Sequence, residues 1–195
     1  DVVTPYQMER WIRPTIDGVI HECYAITEEG AGSDVDGISS TARREGEEYV
    51  LNGEKWHVTS ANLASYVFFQ AKLTDGPNPG RHVLFFVDMD TPGVEVLRVP
   101  EYSHTYGHHH WEMRFTDVRV SVKNLVGTEG DGMGFSHAWF RYERLMIAAR
   151  CCGAAERLIE EATAFAEQRV AYGSKIADYQ AIQFMLADSL TELWA

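Results

Sequence analysis

The periodicity of the chain changes near Gly134, and that change most constrains the fold. Beyond it, "FSHAWFRYERLMIAARCCGAAERLIEEATAFAEQRVAYG" places apolar or small residues at Leu145, Ala148, Ala149, Cys152, Ala155, Leu158, Ile159, Ala162 and Ala166. Spacings of three and four describe one face of a long amphipathic helix. Gly173 stands where a C-cap glycine would end it. Asp178 is then read as the cap of a second helix, with Ile182, Met185, Leu186, Leu190 and Leu193 on one side. Two long helices with nothing to close over their apolar faces are half of a bundle.

Before Gly134 the pattern is short and punctuated. Residues 4–13, "TPYQMERWIR", read as a brief helix with Thr4 as N-cap, Pro5 in the first turn and Gln7 completing a capping box; Pro14 is expected to end it. The runs "VIHECYAIT", "EEYVLNGEKWHVTS", "ASYVFFQAKL", "HVLFFVDMD", "VEVLRV" and "WEMRFTDVRV" read as strands, separated by "TDGPNPG", "DTPG" and similar turn signals. Asn52-Gly53 predicts a type I′ hairpin. Strands at this spacing suggest an antiparallel sandwich or barrel, so the whole is α+β.

Seventeen Lys and Arg against 29 Asp and Glu leave a net charge of −12. Such a surface disfavours nucleic acid and anionic membranes, which both need positive charge. No apolar run approaches the length of a membrane span. Three cysteines (Cys23, Cys151 and Cys152) show no disulfide framework and fit a reducing compartment, the cytoplasm or the mitochondrial matrix. The chain opens at Asp1 without a methionine and is read as a piece of a longer protein.

Four stretches carry candidate chemistry. "YAITEEGAGSD", Tyr24 to Asp34, ends a strand in a run of small residues that can bring backbone N–H groups close to a phosphate; a solvated turn would look similar. Two carboxylates, Glu28 and Glu29, sit inside it. In "GEKWHVTS", Trp56 and His57 offer planar rings and Thr59 a hydroxyl, against the plainer reading of a strand with one ring inside and one outside. In His108–His109–His110, neighbouring strand residues point to opposite faces, so hydrogen bonding is favoured over one shared metal. Glu143, between Arg141 and Arg144, is either an exposed helix carboxylate or a general base, the latter needing partial burial.

Together these segments resemble the acyl-CoA dehydrogenase family. The resemblance rests on "YAITEEGAGSDV", "NGEKWHVTS", "FTDVRV", "GDGMGFSHAWFRYERL" and "QRVAYGSKIADYQAIQFMLAD", in the family's order and spacing. It implies the tail of an N-terminal helical domain at residues 1–20, a β-domain at 21–130, and the first two helices of a C-terminal helical domain at 131–195. It also implies FAD, an acyl-CoA substrate, α,β-dehydrogenation, an electron-transfer flavoprotein as acceptor and a homodimer or homotetramer.

Residue by residue, the resemblance implies cofactor contacts at Tyr24, Ile26, Thr27, Gly32 and Ser33. Further contacts follow at Trp56, His57, Val58 and Thr59, with Thr59 near flavin N5, and at Arg169, Tyr172 and Gln180 toward a neighbouring subunit's flavin. Substrate contacts are implied at Ser33, Arg141 and Arg144. The implied base is Glu143, as in isovaleryl- and long-chain-type members; most other members carry it in a later segment. Departures are Glu29 where the motif has proline, Trp56-His57 around the usual aromatic, and Arg141 where many members carry an acidic CoA contact. Competing readings are an oxidase or monooxygenase on the same fold, and a non-catalytic binding or assembly domain.

Overall fold

The computed structural model describes residues 2–103 and 109–195 and divides into two compact units, one ending at Ser136 and the other spanning His137–Ala195. His108 of the histidine triplet lies outside the described residues.

The first unit opens with helix α1 (Pro5–Gln7), a π-helical turn (Met8–Ile12) and helix α2 (Arg13–Ile16). The capping box forms as read: Gln7 N donates to Thr4 Oγ1 at 3.2 Å and Thr4 N to Gln7 Oε1 at 3.1 Å. Pro14, however, does not end the helix. It has no N–H to offer the preceding turn, and the chain widens into the π turn ahead of it instead of stopping. Trp11 is buried, stacked on Phe86 at 4.6 Å, with its indole N–H donating to Asp88.

Seven strands then form one sheet: β1 (Glu22–Ala25), β2 (Thr41–Glu45), β3 (Glu48–Thr59), β4 (Tyr66–Leu73), β5 (His82–Asp88), β6 (Val94–Arg98) and β7 (His110–Ser121). The β2–β3, β3–β7, β4–β5 and β6–β7 pairs are antiparallel, as the alternation suggests. β1–β4 and β2–β4 are parallel, because β1 and β2 reach β4 by crossovers and not by hairpins. β1 pairs with Tyr66–Phe69 and β2 with Lys72–Leu73, so both lie along β4 and residues 26–40 bulge out between them. Successive β4 and β5 residues serve opposite faces. Val67, Phe69, Phe85 and Val87 join the main core with Met113 and Phe115, while Tyr66, Leu84 and Phe86 pack with Trp11.

The Asn52-Gly53 hairpin is not there. The β2–β3 turn falls at Gly46, φ +64°, and β3 runs straight through Asn52 and Gly53. Their role is cross-strand: the Asn52 amide exchanges two hydrogen bonds with Asp117, at 2.9 and 3.1 Å, beside a register shift in β3–β7. Gly53 is required by closeness, since a Cβ there would fall 2.0 Å from Ser40 Oγ.

Helix α3 (Gly132–Gln168) is followed by the short strands β8 (Val170–Ala171) and β9 (Ser174–Lys175), then helix α4 (Gln180–Trp194). Gly173 is therefore not a C-cap. With Tyr172 at φ 51° and Gly173 at φ 86°, it forms the left-handed tip of the β8–β9 hairpin. Asp178 closes a 3₁₀ turn, and the N-cap position of α4 is Tyr179, without a side-chain cap. In the second unit Ala155, Ile159 and Ala166 are at least half-buried, as are Ile182, Leu186 and Leu193. Leu145, Leu158, Phe165, Phe184, Met185 and Trp194 are exposed. The apolar residues thus extend around the helices beyond the single stripe expected, the pattern of helices built for burial on several sides.

Candidate functional site

The loop between β1 and β2 is shaped by Glu28. Glu28 and Ala31 exchange backbone hydrogen bonds at 3.0 and 3.1 Å, which throws Glu29-Gly30 out as an exposed tip. The Glu28 side chain turns inward and is 6% exposed. Its carboxylate accepts from Lys55 Nζ (2.8 Å), from the Ser39 N–H and hydroxyl (both 2.6 Å), and from the Ser40 N–H (3.0 Å) and hydroxyl (2.6 Å). Burial alone would raise its pKa; Lys55 and these hydrogen bonds outweigh that and bring it down to about 2. Lys55 is fully buried, and burial pulls it down to about 8 against the opposing pull of Glu28. Its ammonium also donates to Ile26 C=O at 3.1 Å and lies 5.2 Å over the Phe69 ring.

The two motif segments meet. Trp56 N donates to Thr27 C=O at 2.8 Å, seaming the loop to β3. Between Lys55 and Val58 the β3–β7 register slips by a residue, a bulge that re-aims Trp56 and His57. Trp56 is half-buried. His57 is exposed at φ 53°, and its Nδ1 is 2.9 Å from Tyr102 OH. Thr59 is exposed; its hydroxyl lies 2.9 Å from His110 Nδ1 and 3.3 Å from its acceptor, His57 C=O. His109 Nε2 bonds the Ser60 hydroxyl at 3.1 Å, so these two histidines hydrogen-bond to Thr59, the last residue of β3, and to Ser60 just after it. Among the described residues no group of three His, Cys, Asp or Glu is arranged to hold a metal.

Tyr24 points the other way. Its hydroxyl donates to Gln70 Oε1 at 2.5 Å and lies 2.9 Å from Ser136 Oγ, and burial pushes its pKa up to about 12 while the Ser136 contact pulls it down. Ile26 and Val58 are buried, so their side chains support the surface and do not line it. Gly32 and Ser33 are exposed, and the space a Cβ on Gly30 or Gly32 would occupy is open.

The remaining candidates belong to the second unit. Glu143 is half-buried on α3, with Arg141 and Arg144 exposed beside it; Arg144 lies 5.8 Å over the Phe140 ring. Arg169 N caps α3 onto Phe165 C=O, Tyr172 is fully exposed at the β8–β9 tip, and Gln180 is exposed at the start of α4.

Lys55, Gln70 and Ser136 were not singled out in the sequence, whereas His110 was, as a member of the histidine triplet. One signal was present for Lys55: Leu51, Gly53 and Lys55 alternate onto the inward face of β3, an uncommon place for a lysine without a carboxylate partner.

A β-sheet unit carrying an exposed small-residue loop, followed in the chain by long helices with apolar residues on several sides, is an α+β protein whose binding surface is built from loops on a rigid sheet. The family described as acyl-CoA dehydrogenase, middle domain, matches residues 23–118, and acyl-CoA dehydrogenase, C-terminal domain, matches residues 130–195. The chain belongs to the acyl-CoA dehydrogenase family. It is 35% identical over 193 residues to a caffeyl-CoA reductase–Etf complex subunit of Acetobacterium woodii, covering 98% of this chain and 51% of that protein. An acyl-CoA dehydrogenase structure from Geobacillus kaustophilus superposes with a TM-score of 0.89 at 32% identity, over 98% of this chain and 51% of the other. Butyryl-CoA dehydrogenase of Megasphaera elsdenii gives 0.85 at 28% identity, over 98% and 50%. The chain therefore spans about half the length of the relatives it matches.

The residues present suit a flavin nucleotide. The Thr27 and Ser33 hydroxyls make no hydrogen bond among the described residues, the loop leaves room over Gly30 and Gly32, and the bulge holds the His57 ring out from β3. Hydroxyls and free backbone beside a flat ring match a heteroaromatic ring with a phosphate tail.

Proposed function

We propose that the complete protein is a FAD-dependent acyl-CoA dehydrogenase and that this chain supplies much of its flavin- and thioester-binding surface. The observation that carries the reading is the seam between Thr27 and Trp56, which joins the two flavin motifs into one surface over the buried Glu28–Lys55 pair. Thr27, Gly32 and Ser33 form one part of the cofactor surface, and Trp56, His57 and Thr59 another, with Ile26 and Val58 buried behind them as support and Tyr24 anchoring the strand through Gln70 and Ser136. Arg169, Tyr172 and Gln180 serve the flavin of a neighbouring subunit. His57, exposed on the bulge, is the ring that faces the flavin, with Trp56 behind it. Ser33, Arg141 and Arg144 contact the acyl-CoA.

Glu143 acts as the base that takes the α proton of the thioester. It already has the partial burial such a base needs. FAD held by these residues would supply the hydride acceptor for the β carbon. The electron acceptor would be an electron-transfer flavoprotein, a partner supported by the Acetobacterium relative being a subunit of a caffeyl-CoA reductase–Etf complex. The apolar residues exposed on α3 and α4 support a homo-oligomer with further helices over them.

The test is anaerobic mixing of the complete flavinated protein with a panel of acyl-CoA thioesters. Bleaching of the flavin by one or more of them is expected, and Glu143→Gln should slow it by at least a hundredfold. A colourless protein, or parental rates in the variant, overturns the flavin reading or the base assignment respectively.

A further inference from the structure

The Thr59 hydroxyl lies 3.3 Å from its acceptor His57 C=O and 2.9 Å from His110 Nδ1, so with the His110 tautomer whose Nδ1 is bare its one proton has two recipients among the described residues. The shorter contact is to a side chain on β7, across the bulged end of the sheet, and it lies outside the two motif segments that carry the cofactor contacts. We infer that His110 is a positioning residue that fixes which way the Thr59 hydroxyl points, and thereby favours the reduced flavin. This rests on the reading that Thr59 faces the flavin.

The argument is donor counting. When His110 Nδ1 accepts the Thr59 proton, the outward side of the hydroxyl carries only lone pairs. Thr59 then can accept a hydrogen bond from a ring N–H and cannot donate one. The two-electron-reduced flavin presents such an N–H at N5, whereas Thr59 would have to donate to the bare nitrogen of the oxidised form. His110 thus biases the pair toward reduced flavin without any proton leaving the protein. The bias is held by the surroundings of the imidazole. Tyr102 packs edge-on at 5.3 Å and His109 at 4.7 Å, and Thr59 pairs with His110 in the ladder. The ionisable and charged groups around the His110–Thr59 pair, among the described residues, are His57, His109, Tyr102 and the Arg98–Glu112 ion pair further along the sheet.

The test is a double-mutant cycle on the complete flavinated protein at pH 8, where an ordinary histidine is neutral. The readout is the flavin midpoint potential, followed by absorbance. His110→Leu should lower the reduced-to-oxidised equilibrium about tenfold, about 30 mV for a two-electron couple. His110→Asn, whose amide oxygen can take the same proton, should recover most of that loss. In a Thr59→Val background, His110→Leu should have no effect. An unchanged potential in His110→Leu, or an equal shift with and without Thr59, overturns the inference while leaving the flavin reading intact. Absence of flavin from the parent protein overturns both.

Discussion

Glu28 Oε1 lies 2.8 Å from Lys55 Nζ, with both side chains almost wholly removed from water. The pair joins the turn of the β1–β2 loop to the inward face of β3. Removing one partner of such a pair leaves a buried charge unmatched, which costs about 3–5 kcal/mol. Lys55→Met should therefore lower the urea midpoint of the complete protein and weaken its flavin binding together. Glu28→Gln combined with Lys55→Met should recover much of the stability, because the desolvated charges disappear as a pair. A single variant as stable as the parent would show that the charge is not buried in solution.

The same pair sets an acid limit. Glu28 is held at about 2 against a usual 4.5, so the unfolded chain binds its proton more readily. Its contribution to stability is full above about pH 4.5 and is lost as the pH falls toward 2. Chemical denaturation from pH 6 downward should show a decline over that window. In the Glu28→Gln/Lys55→Met protein the decline should be shallower.

His57 should show a conflict between stability and binding. A non-glycine residue at φ 53° sits in the left-handed region, at a cost of about 1–2 kcal/mol. His57→Gly should gain about 1 kcal/mol in unfolding free energy and lose affinity for FAD. Tighter flavin binding in the glycine variant would count against the ring facing the cofactor.

What was legible in the sequence follows from what each signal measures. Hydrophobic runs located β1 and β3 to β7, all but the largely exposed β6 burying one or both faces, but they say nothing of direction, so the parallel β1–β4 and β2–β4 pairs were invisible. β2 was missed because "TARRE" holds little apolar surface, although the strand lies between β4 and β3. Asn52-Gly53 misled because Asn and Gly also serve a register shift: Asn52 bonds Asp117 across the sheet, and Gly53 makes room for Ser40. Gly173 followed a helical run and looked like a cap, although the deciding feature, a positive φ at Tyr172, is set by the β8–β9 pairing. Of the candidate site, the exposed residues of the two motifs could be named from their order. The buried ones behind them could not, since Lys55 finds Glu28 across 27 residues of chain.

The helical unit gives the last prediction. Leu145, Phe165, Met185 and Trp194 are all at least half exposed, and Cys152, Ile159, Leu190, Leu193 and Trp194, with Glu156 and Glu160, line a cleft of about 330 Å³ on the same unit. That much uncovered apolar surface is uncommon on a soluble monomer and drives association. The 195-residue chain on its own should therefore sediment as an oligomer or a broad distribution at micromolar concentration, and should hold FAD weakly. Polar substitutions at Met185 and Trp194 should reduce the association without altering the melting of the sheet unit, since both lie in the other compact unit. A monodisperse monomer with tightly bound flavin would show that these helices need no cover and that no second subunit contributes to the cofactor site.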